Sequence, residues 1–93
     1  APDPQMTPQE RRKEAQREMA RARELLVRDS EAAFEAARKA TRLYGTPAAY
    51  ALLGLTACRV GKEQAARRAY KKLEGKSRDG LVRACREKGI TLE

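Results

Sequence analysis

Cys58 and Cys85 are the side chains of this 93-residue sequence best suited to redox, metal or nucleophilic chemistry. Two thiolates cannot complete a four-ligand structural zinc site, and the sequence contains no histidine to supply further ligands. The same absence removes the imidazole that would activate a cysteine or serine nucleophile. Ser30, Thr46 and Ser77 are each explained as N-caps of predicted helices. We therefore expect no catalytic residue, no metal and no cofactor.

Cys58 and Cys85 each lie on the apolar side of a predicted helix, which leaves two states open. Buried, reduced thiols are favoured, because free cysteine is among the most buried residue types and cytosolic proteins keep thiols reduced. The alternative is a disulfide that ties the last helix to the preceding hairpin, which needs a Cα separation that the sequence does not give. The favoured state predicts a cytoplasmic protein.

The composition is typical of a small helical domain. Hydrophobic residues make up 41% and charged residues 37% of the sequence, while aromatic residues make up only 4%. Alanine, leucine, arginine, glutamate and lysine favour helices, and the shortage of β-branched and aromatic residues excludes a β-sandwich. No apolar run approaches the roughly 20 residues that span a bilayer. We expect a disordered linker over residues 1–7, one domain over 8–93, and a longer parent protein.

Apolar residues recur every three or four positions and predict five helices with short connections. Residues 7–10 (Thr-Pro-Gln-Glu) form a capping box with proline at the first helical position, and Thr46 and Pro47 repeat the cap and proline. Gly61 and Gly89 are C-terminal stop signals, after which Ile90 and Leu92 are expected to fold back on the last turn. The predicted helices cover approximately residues 8–27, 30–43, 47–60, 62–74 and 78–88.

A shift of 33 residues aligns the apolar stripes of the second and fourth predicted helices. Ala33 then meets Ala66, and Ala37 meets Tyr70. Connections this short imply antiparallel neighbours, so the predicted fold is an all-α array of antiparallel helical hairpins. Its parts are a first unit over residues 14–46, a second unit over 47–80 and a C-terminal capping helix within 78–92.

Residues 47–80 resemble a tetratricopeptide repeat (TPR). Residues 50–54 (Tyr-Ala-Leu-Leu-Gly) match the aromatic-x-x-Leu-Gly signature of the first helix, and residues 61–66 followed by Tyr70 match the second. In the first unit the signature is degenerate. Residues 85–92 resemble the C-terminal tails of TPR regions in multidomain bacterial signalling proteins. The residues to which the resemblance assigns close packing between helices are Tyr50, Leu53, Gly54, Ala66, Tyr70 and Leu73.

The TPR resemblance implies a non-enzymatic adaptor or scaffold domain whose concave groove binds a protein segment, either a peptide or a helix. The first helix of each hairpin would line this groove. Leu55 points away from the hairpin, so it either belongs to a docking patch or is covered by the first or last helix. The Lys and Asn clamp with which some TPR domains hold a C-terminal carboxylate is missing. The candidate groove residues are Glu18, Ala22, Leu25, Leu26, Ala51, Leu55, Cys58 and Arg59.

The positive charge is concentrated in the second half of the chain. Residues 1–47 contain ten basic and eight acidic residues, whereas residues 48–93 contain eleven and five. Nucleic-acid binding is therefore the alternative function, and an acidic protein segment would also suit the charge. No aromatic residues interleave with the basic ones to stack on bases, which favours an ordinary solvated face. This basic face comprises Arg67, Arg68, Lys71, Lys72 and Lys76.

Overall fold

A computed structural model describes residues 6–93, and within this range the chain forms five α-helices and no strand. Helix accounts for 77% of the described residues, which confirms the all-α prediction. None of these helices is both long and apolar enough to cross a membrane. Most of the predicted linker, residues 1–5, lies outside the described residues. The helices are α1 (Pro8–Leu25), α2 (Ser30–Leu43), α3 (Pro47–Val60), α4 (Glu63–Lys72) and α5 (Gly75–Arg86).

The first three helices begin where the sequence predicts, because each has a side-chain cap. The Thr7 hydroxyl accepts a hydrogen bond from the Glu10 amide at 3.1 Å, and the Glu10 carboxylate accepts one from the Thr7 amide at 3.0 Å. Thr7 is therefore a helix cap and not part of a linker. Asp29 and Thr46 cap α2 and α3, each by accepting from the amide three residues further on. The Ser30 hydroxyl instead donates to the carbonyl of the preceding helix end.

Two glycines end helices as predicted. Gly61 and Gly89 have φ of +78° and +81°, a left-handed conformation that glycine adopts without steric cost. After each of them the chain turns back and an amide donates to a carbonyl five residues earlier, at 2.8 Å and 2.9 Å. The second turn brings Leu92 into the core with 5% exposure, so the predicted apolar lock at the C-terminus is confirmed.

Two helix boundaries differ clearly from the prediction, namely the start of the last helix and the end of the first. The last helix begins at Gly75 and not at Arg78, so the prediction that Ser77 caps it is wrong. Gly75 has φ of +61°, which turns the chain into the helix before Ser77 is reached, and the Ser77 side chain is exposed. The first helix ends at Leu25, two residues earlier than predicted, and leaves Val27 80% exposed in the turn.

The helices pack around α3, which contacts each of the other four. Helices α1 and α5 both pack on α3 and do not contact each other. Helices α2 and α4 also pack on α3, and no Cα atom of one lies within 8 Å of a Cα atom of the other. The hairpins α1–α2 and α3–α4 are the two predicted units. The final helix α5 packs mainly on α3 and only slightly on α4.

Gly54 is the point at which three helices meet. A Cβ atom at this position would lie 2.7 Å from both methyl groups of Leu81 on α5 and 3.1 Å from the Cβ of Ala69 on α4. Such distances leave no space for a side chain. The predicted close approach of α3 and α4 at Gly54 is therefore present, and α5 shares the contact. Of the other predicted packing residues, Leu53, Ala66 and Leu73 are buried, while Tyr50 and Tyr70 are half-buried.

A disulfide between Cys58 and Cys85 joins α3 to α5, with a Cα separation of 5.2 Å. The expectation of two reduced thiols is therefore wrong and the alternative is present. Both cysteines face the contact between α3 and α5, and both are at most 2% exposed. A second link fastens α5 to α4: the Arg78 guanidinium lies 4.0 Å from the Tyr70 ring centroid, and its Nε donates to the Tyr70 carbonyl at 3.3 Å.

We predict that Gly54→Leu lowers the free energy of unfolding by about 1–3 kcal/mol, because the large side chain overpacks the contact with Leu81 and Ala69. Gly54→Ala should have a smaller effect, because the higher helix propensity of alanine offsets part of the overpacking. The matched control is Gly80→Ala in α5. Gly80 has open space around its Cα, so alanine should stabilise the helix there by about 0.5–1 kcal/mol. Urea unfolding measures both changes. A Gly54→Leu protein as stable as the parent would contradict the three-helix contact.

We predict that the chain purified without reductant has an intact mass two units below that of the reduced chain. Its disulfide closes a segment with a sequence separation of 27, which corresponds to about 3–4 kcal/mol of stability by the chain-entropy estimate. The Cys58→Ala/Cys85→Ala double variant should unfold at correspondingly lower urea concentration. Equal midpoints for the parent and the double variant, both without reductant, would show that the disulfide contributes nothing to stability.

Candidate binding groove

The candidate residues of the concave groove differ widely in accessibility. Ala22 is fully buried, Cys58 is held in the disulfide, and Glu18 is 7% exposed and paired with Lys39 of α2 at 3.3 Å. Ala22 and Cys58 therefore do not line a binding surface as predicted, and Glu18 lines a cavity between α1 and α2, in its ion pair with Lys39, instead of the concave groove. The remaining candidates are half-buried, apart from exposed Arg59. They are Leu25, Leu26, Ala51, Leu55 and Arg59.

The sequence left Leu55 either in an exposed docking patch or covered by the first or last helix. Leu55 is half-buried, so neither alternative is fully met. Val27, in the turn that follows α1, is far more exposed, at 80%. Binding of a partner at this face stays a prediction.

A groove runs between α2 and α4 on the other side of the molecule. It consists of two adjoining cavities of about 420 Å³ and 380 Å³, which share Arg38, Ala65 and Arg68 as lining residues. Helices α2 and α4 form its walls, and Tyr50 and Leu53 of α3 lie between them. We call this the outer groove. It exists because both wall helices pack on α3 without contacting each other.

Small residues on α4 shape the outer groove. Ala66 and Ala69 are fully buried against the core, which seats α4 close to α3. Ala65 lies one position round the helix, is half-buried, and lines both cavities of the groove. Because its side chain is a single methyl group, the middle of the groove stays open.

One end of the outer groove is strongly basic. The larger cavity has five cationic lining residues and no acidic one. Of the five, Arg38 pairs with Glu35 at 2.9 Å, and the other four form no ion pair among residues 6–93. We call these residues the basic end of the groove. They are Arg38, Arg42, Arg68, Lys71 and Lys72.

The opposite end of the outer groove is electrostatically mixed. The smaller cavity is lined by Glu35 and Glu63 as well as by basic residues. Both carboxylates are already engaged, with Glu35 on Arg38 and Glu63 on Arg67 at 3.0 Å. Among residues 6–93, the unpaired cations of the groove are therefore concentrated at the end near Tyr50, while Lys62 is an unpaired cation at the mixed end.

A cavity of about 570 Å³ between α1 and α2 is larger but a weaker candidate. Its lining includes Glu18 and Lys39, which pair with each other, and Glu35, which pairs with Arg38. Most of its charge is therefore internally compensated. It shares Arg38 and Arg42 with the outer groove, so the basic surface continues across α2.

The basic face expected from the sequence divides in the structure. Arg68, Lys71 and Lys72 line the outer groove, whereas Arg67 pairs with Glu63 and is not a lining residue of the larger cavity. Lys76 is exposed on α5 outside the groove.

Arg38 and Arg42 were not identified from the sequence. Their spacing of four residues on α2 is the same signal as that of Arg68 and Lys72 on α4. It places each pair on one helix face but does not show that the two faces meet across a groove.

No protein-family model, curated protein or solved structure matches this chain. Across residues 6–93, no three or more His, Cys, Asp or Glu side chains are grouped closely enough to hold a metal ion. The class of protein that the structure defines is a small all-α domain of two helical hairpins and a capping helix. Its function is argued below from the shape and charge of the outer groove.

Two neighbouring arginines on α4 should respond differently to charge reversal. Arg68→Glu replaces the repulsion between Arg68 and Lys72 with an attractive pair, so we predict a gain of a few tenths of a kcal/mol in unfolding free energy. Arg67→Glu loses the ion pair with Glu63 but gains an attractive pair with Lys71, so we predict little net change. Urea unfolding at about 50 mM and 1 M salt tests both, because salt should shrink each effect. A stability loss for Arg68→Glu at low salt would show that Arg68 has a favourable partner.

Proposed function

We propose that this chain is a non-enzymatic protein-interaction domain that holds a segment of a partner protein in the outer groove. The observation that carries the proposal is the groove itself, an open channel between two helices that do not touch, lined by apolar atoms of Leu53 and Ala65 and by the Tyr50 ring. Clefts with an apolar lining and a few polar groups are the usual form of binding sites.

The proposed site differs from the one that the TPR resemblance implies. Three of the eight concave-face candidates are buried, whereas the outer groove is lined by accessible side chains on both walls. We retain the TPR-like hairpin array and the context of a bacterial signalling protein as proposals. The face that includes Leu55 and Arg59 is a second candidate for the same function, supported by the exposure of Arg59 and the partial exposure of Leu55.

Nucleic-acid binding is the less well supported function. Four of the basic residues that form no ion pair among residues 6–93 line the outer groove, and stacking on bases there would need an accessible aromatic ring. Tyr50 is the aromatic residue at the basic end, and its ring edge and hydroxyl lie beside Gly45, 2.9 Å and 3.0 Å from where a Cβ of residue 45 would be. A ring packed in this way is poorly placed to stack on bases.

The disulfide also bears on where the protein works. The cytoplasm was expected because two reduced thiols were favoured. A Cys58–Cys85 bridge forms and persists in oxidising surroundings and is rare in the cytosol of mesophiles. We therefore propose an oxidising compartment for this domain, with two buried sulfurs as structural groups.

Peptide display against the folded chain, followed by a groove-filling variant, tests the proposed function. Ala65→Trp places a large side chain in the middle of the groove, and Arg67→Trp places the same side chain on the exposed surface of the same helix. We predict that selected peptides lose at least about tenfold in affinity for Ala65→Trp, about 1.4 kcal/mol, and change little for Arg67→Trp. Circular dichroism confirms that both variants are folded.

Selection of no peptide, or of peptides that bind Ala65→Trp as well as the parent, would reject the outer groove as the binding site. Peptides that lose affinity only for Leu55→Glu would place the function on the concave face.

A further inference from the structure

We propose that the outer groove takes an acidic segment in extended conformation, whose carboxylates alternate between the two helical walls. This inference rests on the proposed function and specifies the partner of the same site. It follows from three observations: the unpaired positive charge at the basic end, the spacing of the basic residues along each wall, and the difference in lining charge between the two ends of the groove.

The basic end of the groove carries positive charge that no acidic side chain balances. Arg42, Arg68, Lys71 and Lys72 line one cavity without an ion pair among residues 6–93, and no acidic side chain lines that cavity. Like charges held together on a helix repel one another, and the repulsion falls when an anion enters. Arginine also binds a carboxylate through two parallel hydrogen bonds, which gives geometric selectivity as well as attraction. A segment rich in aspartate or glutamate therefore complements this end.

The spacing of the basic residues along each wall favours an extended conformation of the partner segment. Arg38 and Arg42 on α2, and Arg68 and Lys72 on α4, are each four residues apart, which is a rise of about 6 Å along a helix. In an extended chain, residues i and i+2 point the same way and lie about 6.6 Å apart. The side chains between them point the opposite way. One set of alternate carboxylates can thus meet the α2 pair while the intervening set meets the α4 pair.

The mixed end of the groove sets the polarity of the site. That end has three basic and two acidic lining residues, and Glu35 and Glu63 are each paired with an arginine, so it attracts carboxylates less strongly than the basic end does. The acidic run therefore lies toward Tyr50, and the part of the segment that passes Phe34 need not be acidic. This asymmetry distinguishes a specific site from a general attraction between an acidic peptide and a chain of net charge +8.

Fluorescence anisotropy with short probes tests the inference on the full chain. The probes are a labelled hexapeptide of glutamate, the same peptide made of glutamine, and a single-stranded thymidine hexanucleotide. We expect the glutamate peptide to bind at about 50 mM salt, the glutamine peptide to bind at least about tenfold more weakly, and glutamate binding to weaken by about tenfold at 200 mM salt, as screening of several charge pairs requires.

Charge-neutral variants locate the binding. Arg42→Gln and the double variant Arg68→Gln/Lys72→Gln remove charge from the two walls, and we expect each to weaken glutamate binding by at least about tenfold. The matched controls Arg67→Gln and Lys76→Gln remove charge from the same region outside the basic end. We expect them to change affinity by no more than about twofold. These exposed substitutions leave the buried core untouched, and circular dichroism confirms folding.

Several results would overturn the inference. Equal losses in the control and groove variants would show attraction by net charge alone. Tighter binding of the thymidine hexanucleotide than of the glutamate peptide would assign the basic end to nucleic acid. Neutral peptides from the display experiment that depend on Ala65 would keep the proposed function and reject the acidic partner. Glutamate binding unaffected by Ala65→Trp would reject the groove for this partner.

Discussion

The close contact of three helices at Gly54 is the constraint on which the rest of the structure depends. Residue 54 has no side chain, so Ala69 of α4 and Leu81 of α5 approach α3 from two directions. Because α3 also contacts α1 and α2, it is the one helix in the described chain that contacts all four others. A small domain with few aromatic residues builds its core in this way, from close approach of helices around alanine and glycine instead of from large side chains.

The outer groove and the disulfide are both consequences of this arrangement. Helices α2 and α4 are seated on α3 by small residues and stay apart from each other, which leaves a channel floored by Tyr50 and Leu53. Helix α5 has little contact with α4, and the Cys58–Cys85 bridge joins it covalently to α3. The bridge therefore supplements a limited interface at the end of the array, where a helical repeat structure needs a cap.

At the basic end of the groove, repulsion between unpaired cationic side chains lowers the stability of the folded chain. Four cationic side chains line one cavity without ion pairs among residues 6–93, although acidic residues pair with arginines nearby on α2 and α4. Local features that cost stability are often retained because binding or catalysis needs them. The larger groove cavity has no acidic lining residue, whereas the smaller groove cavity and the cavity between α1 and α2 each include carboxylates. This difference is the physical basis for assigning the binding of an acidic segment to the basic end.

The sequence by itself determined the helices, their caps at Thr7 and Thr46, and the glycine stops at Gly61 and Gly89, because these are local interactions within a few residues of the chain. It also identified Gly54 as a close contact, through its place in a repeat signature. Only the tertiary structure decided that Cys58 lies 5.2 Å, Cα to Cα, from Cys85 and that α5 shares the Gly54 contact. The outer groove was likewise decided only by the tertiary structure. Each basic pair could be read along its own helix, but their meeting across a channel depends on how two separate helices pack against a third.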